Sequence, residues 1–167
     1  MYQSVAKLFV RHPTGITTLA ILVGLTGCAT RPTAVVLQPV AVQQANGKSI
    51  DLLSVTNRNF DANDNGFGSQ WVGTVRYEQY GFSVPRDRQD TQIRYPSKTP
   101  DPRREYIVTK REILTRDSLI KRAIAAANFN GTVAVFVHGY NYSHQEALYR
   151  AAQMAADADT LTPPILF

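Results

Sequence analysis

The 167-residue chain has a single cysteine, Cys28, so no disulfide can close within it. Long hydrophobic runs are missing too. The most apolar segment, residues 16–25, is broken by Thr and Gly and is too short to cross a bilayer as a helix. There is also no dense basic stripe. Of 18 Lys and Arg residues, Lys7 and Arg11 fall in the first 27 positions, which hold no acid; the other 16 stand against 13 acids and leave +3. These are scattered through Arg86, Arg88, Arg103, Arg104, Lys110, Arg111, Arg116, Lys121 and Arg122, a spread that argues for a solvated surface and against nucleic acid as a partner. Internal repeats and low-complexity tracts are absent. What remains is an ordinary globular composition, 44% apolar and 19% charged, too apolar for global disorder.

The position of the lone cysteine is informative. Residues 1–28 read MYQSVAKLFVRHPTGITTLAILVGLTGC: a positive start, a short apolar core, then Leu25-Thr26-Gly27-Cys28. This ending resembles the lipobox of bacterial lipoproteins. The resemblance implies that the Cys28 thiol takes a diacylglyceryl group, that residues 1–27 are cut off as a signal peptide, and that the new N-terminus is then acylated. Two or three acyl chains anchor firmly where one binds only marginally. Ala29 and Thr30 follow, without the Asp that retains such proteins at the inner membrane. The expected location is therefore the bacterial cell envelope, on the outer membrane facing the periplasm. The expected partner is the membrane, through lipid on Cys28.

Residues 28–47, with two prolines and several Gln, read as an extended tether, and residues 48–167 as the folded part. Strands are expected at 49–56, at 71–84 as one long strand or as two with a bend near Gly81, and at 106–114. Residues 57–68, rich in Asn, Asp and Gly, read as a turn, and 85–102 as a surface loop. The period then changes. Leu119, Ile120, Ala123, Ile124 and Ala127 share one face of a helix over 115–128. Residues 132–137, TVAVFV, suit a strand buried on both faces of a parallel sheet. Ser143 and Glu146 make a capping box that opens a helix to about Ala158, and TPPILF begins another strand. Strands with interposed helices predict an α/β class: a mixed, mostly parallel sheet with helices on its faces.

The stretch VAVFVHGYNYSHQEA places His138-Gly139-Tyr140-Asn141 where a strand enters a helix, the position at which such sheets hold ligands. In α/β-hydrolases the loop after the third strand often starts His-Gly and supplies one backbone N–H to the oxyanion hole. Here the donor would be the Tyr140 N–H, with Gly139 permitting the backbone geometry and His138 shaping the loop. Losing one such donor typically costs about 2.7–4 kcal/mol of transition-state stabilisation.

Three blocks, SVTNRNF (54–60), YGFSVPRDR (80–88) and VAVFVHGYNYSHQEALYRAAQMAAD (133–157), resemble a bacterial α/β-hydrolase family of uncharacterised function whose members are often lipoproteins. The resemblance implies an esterase- or lipase-like serine hydrolase acting on an undefined ester. The chain departs from that pattern in lacking a G-x-S-x-G elbow. Gly81-Phe82-Ser83-Val84-Pro85 imitates it, but lacks the last Gly and lies upstream of His-Gly, so Ser83 is not read as a nucleophile. Ser118 and Ser143 read as turn or cap residues. His144 is expected to be exposed on the first turn of its helix, and His12 lies in the leader. With no Ser-His-Asp set, residues 48–167 are expected to be the incomplete N-terminal part of a hydrolase sheet, inactive alone, with an unpaired edge and an uncovered apolar face. The alternative is a non-enzymatic surface lipoprotein with a binding or scaffold role on a decayed hydrolase core. No cofactor or metal is expected. Residues 61–66 fit the first half of a calcium loop, but its twelfth position is Val72 where a bidentate Glu is needed, so they read as a polar turn.

Overall fold

The computed structural model describes residues 31–41, 47–89, 92–127, 131–160 and 162–167. Residues 1–27, read above as a signal segment, and Cys28 lie outside the described residues. Everything below concerns the compact unit Arg31–Phe167.

The spine is a long antiparallel hairpin, β1 (Lys48–Asp61) with β2 (Gly66–Val84). Its turn is only four residues, 62–65. The Asp61 carboxylate accepts from the Asn63 N–H at 2.9 Å, and Asn65 takes a left-handed φ of 52°, which Asn tolerates. The region read as a 57–68 turn is therefore mostly strand. Its polar residues sit on the hairpin arms, where the ladder satisfies their backbones and their side chains remain free to bond.

Strand β3 (Ile107–Leu114) pairs antiparallel with β2. Helix α1 (Arg116–Ala127), strand β4 (Val135–Phe136), helix α2 (His144–Asp157) and strand β5 (Ile165–Leu166) follow. The sheet order is β3-β2-β1-β5-β4, with β5 parallel to both β1 and β4. This is an open, mixed five-stranded sheet of α/β character, consistent with part of an α/β-hydrolase fold.

Alternation along β1 assigns the faces. Leu52 packs in a cluster with Tyr80, Phe82, Val108 and the α2 residues Ala147, Leu148 and Ala151. Its neighbour Leu53 packs instead with Leu114 and with Leu119 and Ala123 of α1. Successive strand residues point to opposite faces, so the two helices cover opposite sides of the sheet. The alanines of α2 let that helix lie close to the strands, and Tyr149 packs edge-on against Phe82 at 5.1 Å and Tyr95 at 4.9 Å.

Two expectations are corrected. The run 132–137 is not buried on both faces: Val133, Val135 and Val137 are all exposed, Val135 at 60%. Among the described residues β4 is the sheet edge, paired only with β5, so nothing covers its outer side. The segment read as a tether is, over residues 31–41, packed on the fold. Ala34–Leu37 forms a 3-10 turn that buries Val36 and Leu37. The Tyr149 hydroxyl donates to the Val36 carbonyl at 2.6 Å, and the Val40 N–H donates to the Val108 carbonyl at 2.9 Å. Ala34 occupies the space a side chain at Gly66 would need. Burial of Val36 and Leu37 in the core explains the docking, while Val35 points outward.

Removing the Tyr149 hydroxyl leaves the buried Val36 carbonyl without its donor. Tyr149→Phe is expected to lose about 1–2 kcal/mol of stability, read from the midpoint of chemical denaturation at an unchanged slope.

Candidate functional site

A cleft of about 890 Å³ opens where β4 runs into α2. One wall is the loop that carries His138-Gly139-Tyr140-Asn141. Strand β4 ends as Phe167 donates to the Phe136 carbonyl at 2.9 Å. The Tyr142 N–H then bonds the Gly139 carbonyl at 3.1 Å, closing a tight turn. Helix α2 starts immediately after it. The Ser143 hydroxyl accepts from the Glu146 N–H at 3.2 Å, and the Glu146 carboxylate accepts from the Ser143 N–H at 2.7 Å, the reciprocal capping box expected at these positions.

Within that turn the Tyr140 N–H has no hydrogen-bond partner among the described residues, and the Tyr140 side chain is 100% exposed. His138 is half-buried, with Nδ1 2.9 Å from the Gly139 carbonyl. A carbonyl can only accept, so Nδ1 carries the proton in that contact. The backbone argument for Gly139 does not hold. Its φ lies outside the left-handed region, and a Cβ there would meet only the Tyr142 ring at an ordinary 3.6 Å.

The opposite wall comes from the spine hairpin. Between the pairs Thr56–Arg76 and Arg58–Trp71, β1 advances two residues while β2 advances five. From there to Phe60–Phe67, β1 again advances two and β2 four. The surplus on β2 bulges outward as an exposed rim. Side chains of β1 hold the bulge. Arg58 donates to the Ser69 carbonyl and lies 5.5 Å from the Trp71 ring centre, and Asn59 accepts from the Gln70 N–H at 3.0 Å. A Cβ on Gly68 would sit 2.6 Å from the Asn59 carboxamide oxygen, so a larger residue there would displace that side chain from its bond to Gln70. Gln145 of α2 joins the walls by donating to the Phe67 carbonyl at 3.0 Å. Across the loop, Arg31 donates to the Asn141 carbonyl at 2.8 Å and to its side-chain oxygen at 2.6 Å.

The structure thus brings together two of the three motif blocks, the Asn57-Arg58-Asn59 stretch and the His-Gly loop. The third is structural: Tyr80 and Phe82 are core, Ser83 is buried on β2, and Arg88 pairs with Asp157 of α2. Ser118 exchanges hydrogen bonds with Thr115 at the start of α1. Arg31, Arg58, Trp71 and Gln145 were not singled out from sequence. The bulge that places Arg58 and Trp71 depends on strand register, which no local pattern encodes.

The expectation that His144 is exposed is overturned: it is 2% exposed. Position 144 lies three, four and seven residues before Ala147, Leu148 and Ala151, and so shares the buried face of α2. Its Nε2 is 3.1 Å from the Ser54 hydroxyl of β1, and its ring meets Phe67 edge-on at 4.4 Å. Burial first, then the positive surroundings of His138, Arg111 and Arg58, push its pKa down to about 3. Although this is a Ser–His pair, it is no nucleophile and base. Neither residue lines the cleft, and so weak a base accepts a proton poorly.

Residues 61–66 form the hairpin turn between two strands, and among the described residues no group of three or more His, Cys, Asp or Glu converges as metal ligands.

Residues 115–167 match the family model described as Alpha/beta hydrolase of unknown function (DUF900). The match runs from the start of α1 to the last described residue of the sheet and includes the His-Gly loop. It is consistent with the family that the three motif blocks resemble, and it covers one of those blocks, residues 133–157. Residues 115–167 are thus similar to an α/β-hydrolase domain of unknown function. No curated protein and no solved structure matches the chain.

The neutral His144 makes the hydrolase-like domain acid-sensitive. Unfolded, this imidazole binds a proton below about pH 6.5; folded, it does not until about 3. Stability therefore falls as pH drops through that window, by about 1.4 kcal/mol per pH unit once below 6.5. Between pH 6.5 and 5, above the range of most carboxylates, denaturation midpoints should show this slope, and His144→Gln should flatten it.

Proposed function

We propose that this chain is the oxyanion-donating part of a lipid-anchored serine esterase- or lipase-like α/β-hydrolase and is inactive on its own. The observation that carries the reading is the Tyr140 N–H, unpaired among the described residues, beside a cleft and just ahead of a capped helix. A backbone donor held in this way costs no reorganisation when charge develops on a substrate carbonyl oxygen. In the complete reaction a serine oxygen would attack the ester carbonyl, and the Tyr140 N–H would donate to the oxygen that becomes negative. The loop that presents it is closed by the Tyr142 N–H bonding the Gly139 carbonyl, with the His138 ring against that same carbonyl.

The serines lining the described cleft are Ser69 and Ser143. The Ser143 hydroxyl is committed to capping α2, and no histidine bonds either one. This favours inactivity of the chain alone, and it also supports a second reading in which the cleft only binds, as part of a surface lipoprotein on a decayed hydrolase core. Lipid on Cys28 would hold the domain at the envelope membrane, on the outer membrane facing the periplasm.

Two measurements test the proposal. Purified chain with p-nitrophenyl butyrate should give no hydrolysis above a blank; a rate above blank that scales with protein would overturn inactivity. Cys28→Ser should move the protein from the detergent phase to the aqueous phase. Unchanged partitioning would remove the lipid anchor from the account.

A further inference from the structure

The rim of the cleft has a composition that ester chemistry does not require. Trp71 is the only tryptophan of the chain, and it stands 73% exposed on the β2 bulge. Tyr140 lines the same cleft and is fully exposed. Singly exposed aromatics are ordinary, but two lining one cleft make a local apolar surface of the kind that marks a contact site. Between them the cleft is lined by Arg31 and Arg58 and by no Asp or Glu. The Arg31 Nε lies 3.9 Å from the Glu146 carboxylate, which partly offsets its charge. Arg58 is half-buried and met by the Ser69 carbonyl and the Trp71 ring, with no carboxylate in ion-pair distance among the described residues, so no acid neutralises its charge.

Amphipathic Trp and Tyr rings flanking uncompensated arginine match the chemistry of a membrane–water interface, where indole and phenol settle at headgroup depth and each cation near an anionic surface contributes about 1 kcal/mol. The +3 carried by residues 28–167, 16 Lys and Arg against 13 acids, acts in the same direction. Arg31 is also only three residues from Cys28, so a covalent path of at most about 10 Å joins the proposed lipid attachment to the cleft wall.

We infer that the mouth of this cleft docks on an anionic phospholipid bilayer, with Trp71 and Tyr140 at headgroup depth and Arg58 against the lipid phosphates. The inference extends the proposed function by making a membrane-resident molecule the ligand of the cleft. It draws on the Cys28 anchor only for proximity.

Because Trp71 is the sole tryptophan, its emission reports on this surface alone. The full chain carrying Cys28→Ser, which removes the lipid, is mixed with phosphatidylcholine vesicles with and without phosphatidylglycerol. The expected result is a blue shift of Trp71 emission and quenching by brominated acyl chains with the anionic vesicles, weakened by salt. Arg58→Ala should lower the partition constant about five-fold. Tyr140→Ser, at a fully exposed position where folding is not at stake, should lower it as well. Vesicles that bind the chain while Trp71 emission stays unshifted would mean attachment elsewhere and would overturn the inference. So would an absence of binding, or an equal shift with soluble glycerol phosphate. None of these outcomes depends on ester hydrolysis or on lipidation, so failure here is distinct from failure of either.

Discussion

The seating of α2 on the hairpin spine is the constraint from which the site follows. The Ser143–Glu146 capping box sets where the helix starts. Its buried face, running from His144 through Ala156, sets how it is rotated. With both fixed, the turn before it has little freedom: Gly139 must accept from Tyr142, and the Tyr140 N–H is left over. A backbone donor is thereby positioned by packing some distance from the chemistry it would serve, which is how a short loop can be held without a dense network of its own.

The same seating explains the polar groups in the interior. His144 is on the buried face because the helix cannot be rotated to expose it without exposing Leu148 and Ala151. Ser54 of β1 supplies the hydrogen bond that makes its burial tolerable. Further along the sheet, buried Glu78 is bonded by Arg76 at 2.6 Å, by Arg111 at 3.2 Å and by the Tyr80 hydroxyl. Arg111 also bonds the Asn65 carbonyl at 2.7 Å, so the charge cluster ties β3 to the hairpin turn. Breaking such a buried pair at one partner is far more costly than the pair is stabilising. The cluster accordingly reads as a register lock for the hairpin that bears the cleft's second wall.

Much of this was legible in the sequence. Strand β3, helices α1 and α2, the capping box and the α/β class follow from periodicity and cap residues, because these signals are local. The His-Gly loop was legible for the same reason: a strand pattern and a helix pattern meet at it. The misreadings share a cause. Asn57–Phe60 looked like turn because Asn is a turn residue, yet cross-strand bonds from Arg58 and Asn59 to β2 reward the extended form. Residues 132–137 looked doubly buried because nothing in an apolar run states how many neighbours its strand has. His144 was placed at the surface on residue type, although its spacing to Ala147 and Leu148 already put it inside. The cleft itself, made of elements far apart in the chain, depends on the β2 bulge and could not be read from either block alone.

The central claim is that the Tyr140 N–H is a preorganised donor for an oxyanion. It is tested most directly by the amide resonance of Tyr140 in the ¹⁵N-labelled chain during titration with phenylphosphonate, a tetrahedral anion shaped like the ester-hydrolysis intermediate. The account predicts that the Tyr140 amide proton moves downfield in a saturable way, with smaller changes at His138 and Gly139. Saturable phosphonate binding that leaves Tyr140 unmoved, or no response anywhere in the 138–143 loop, would contradict it.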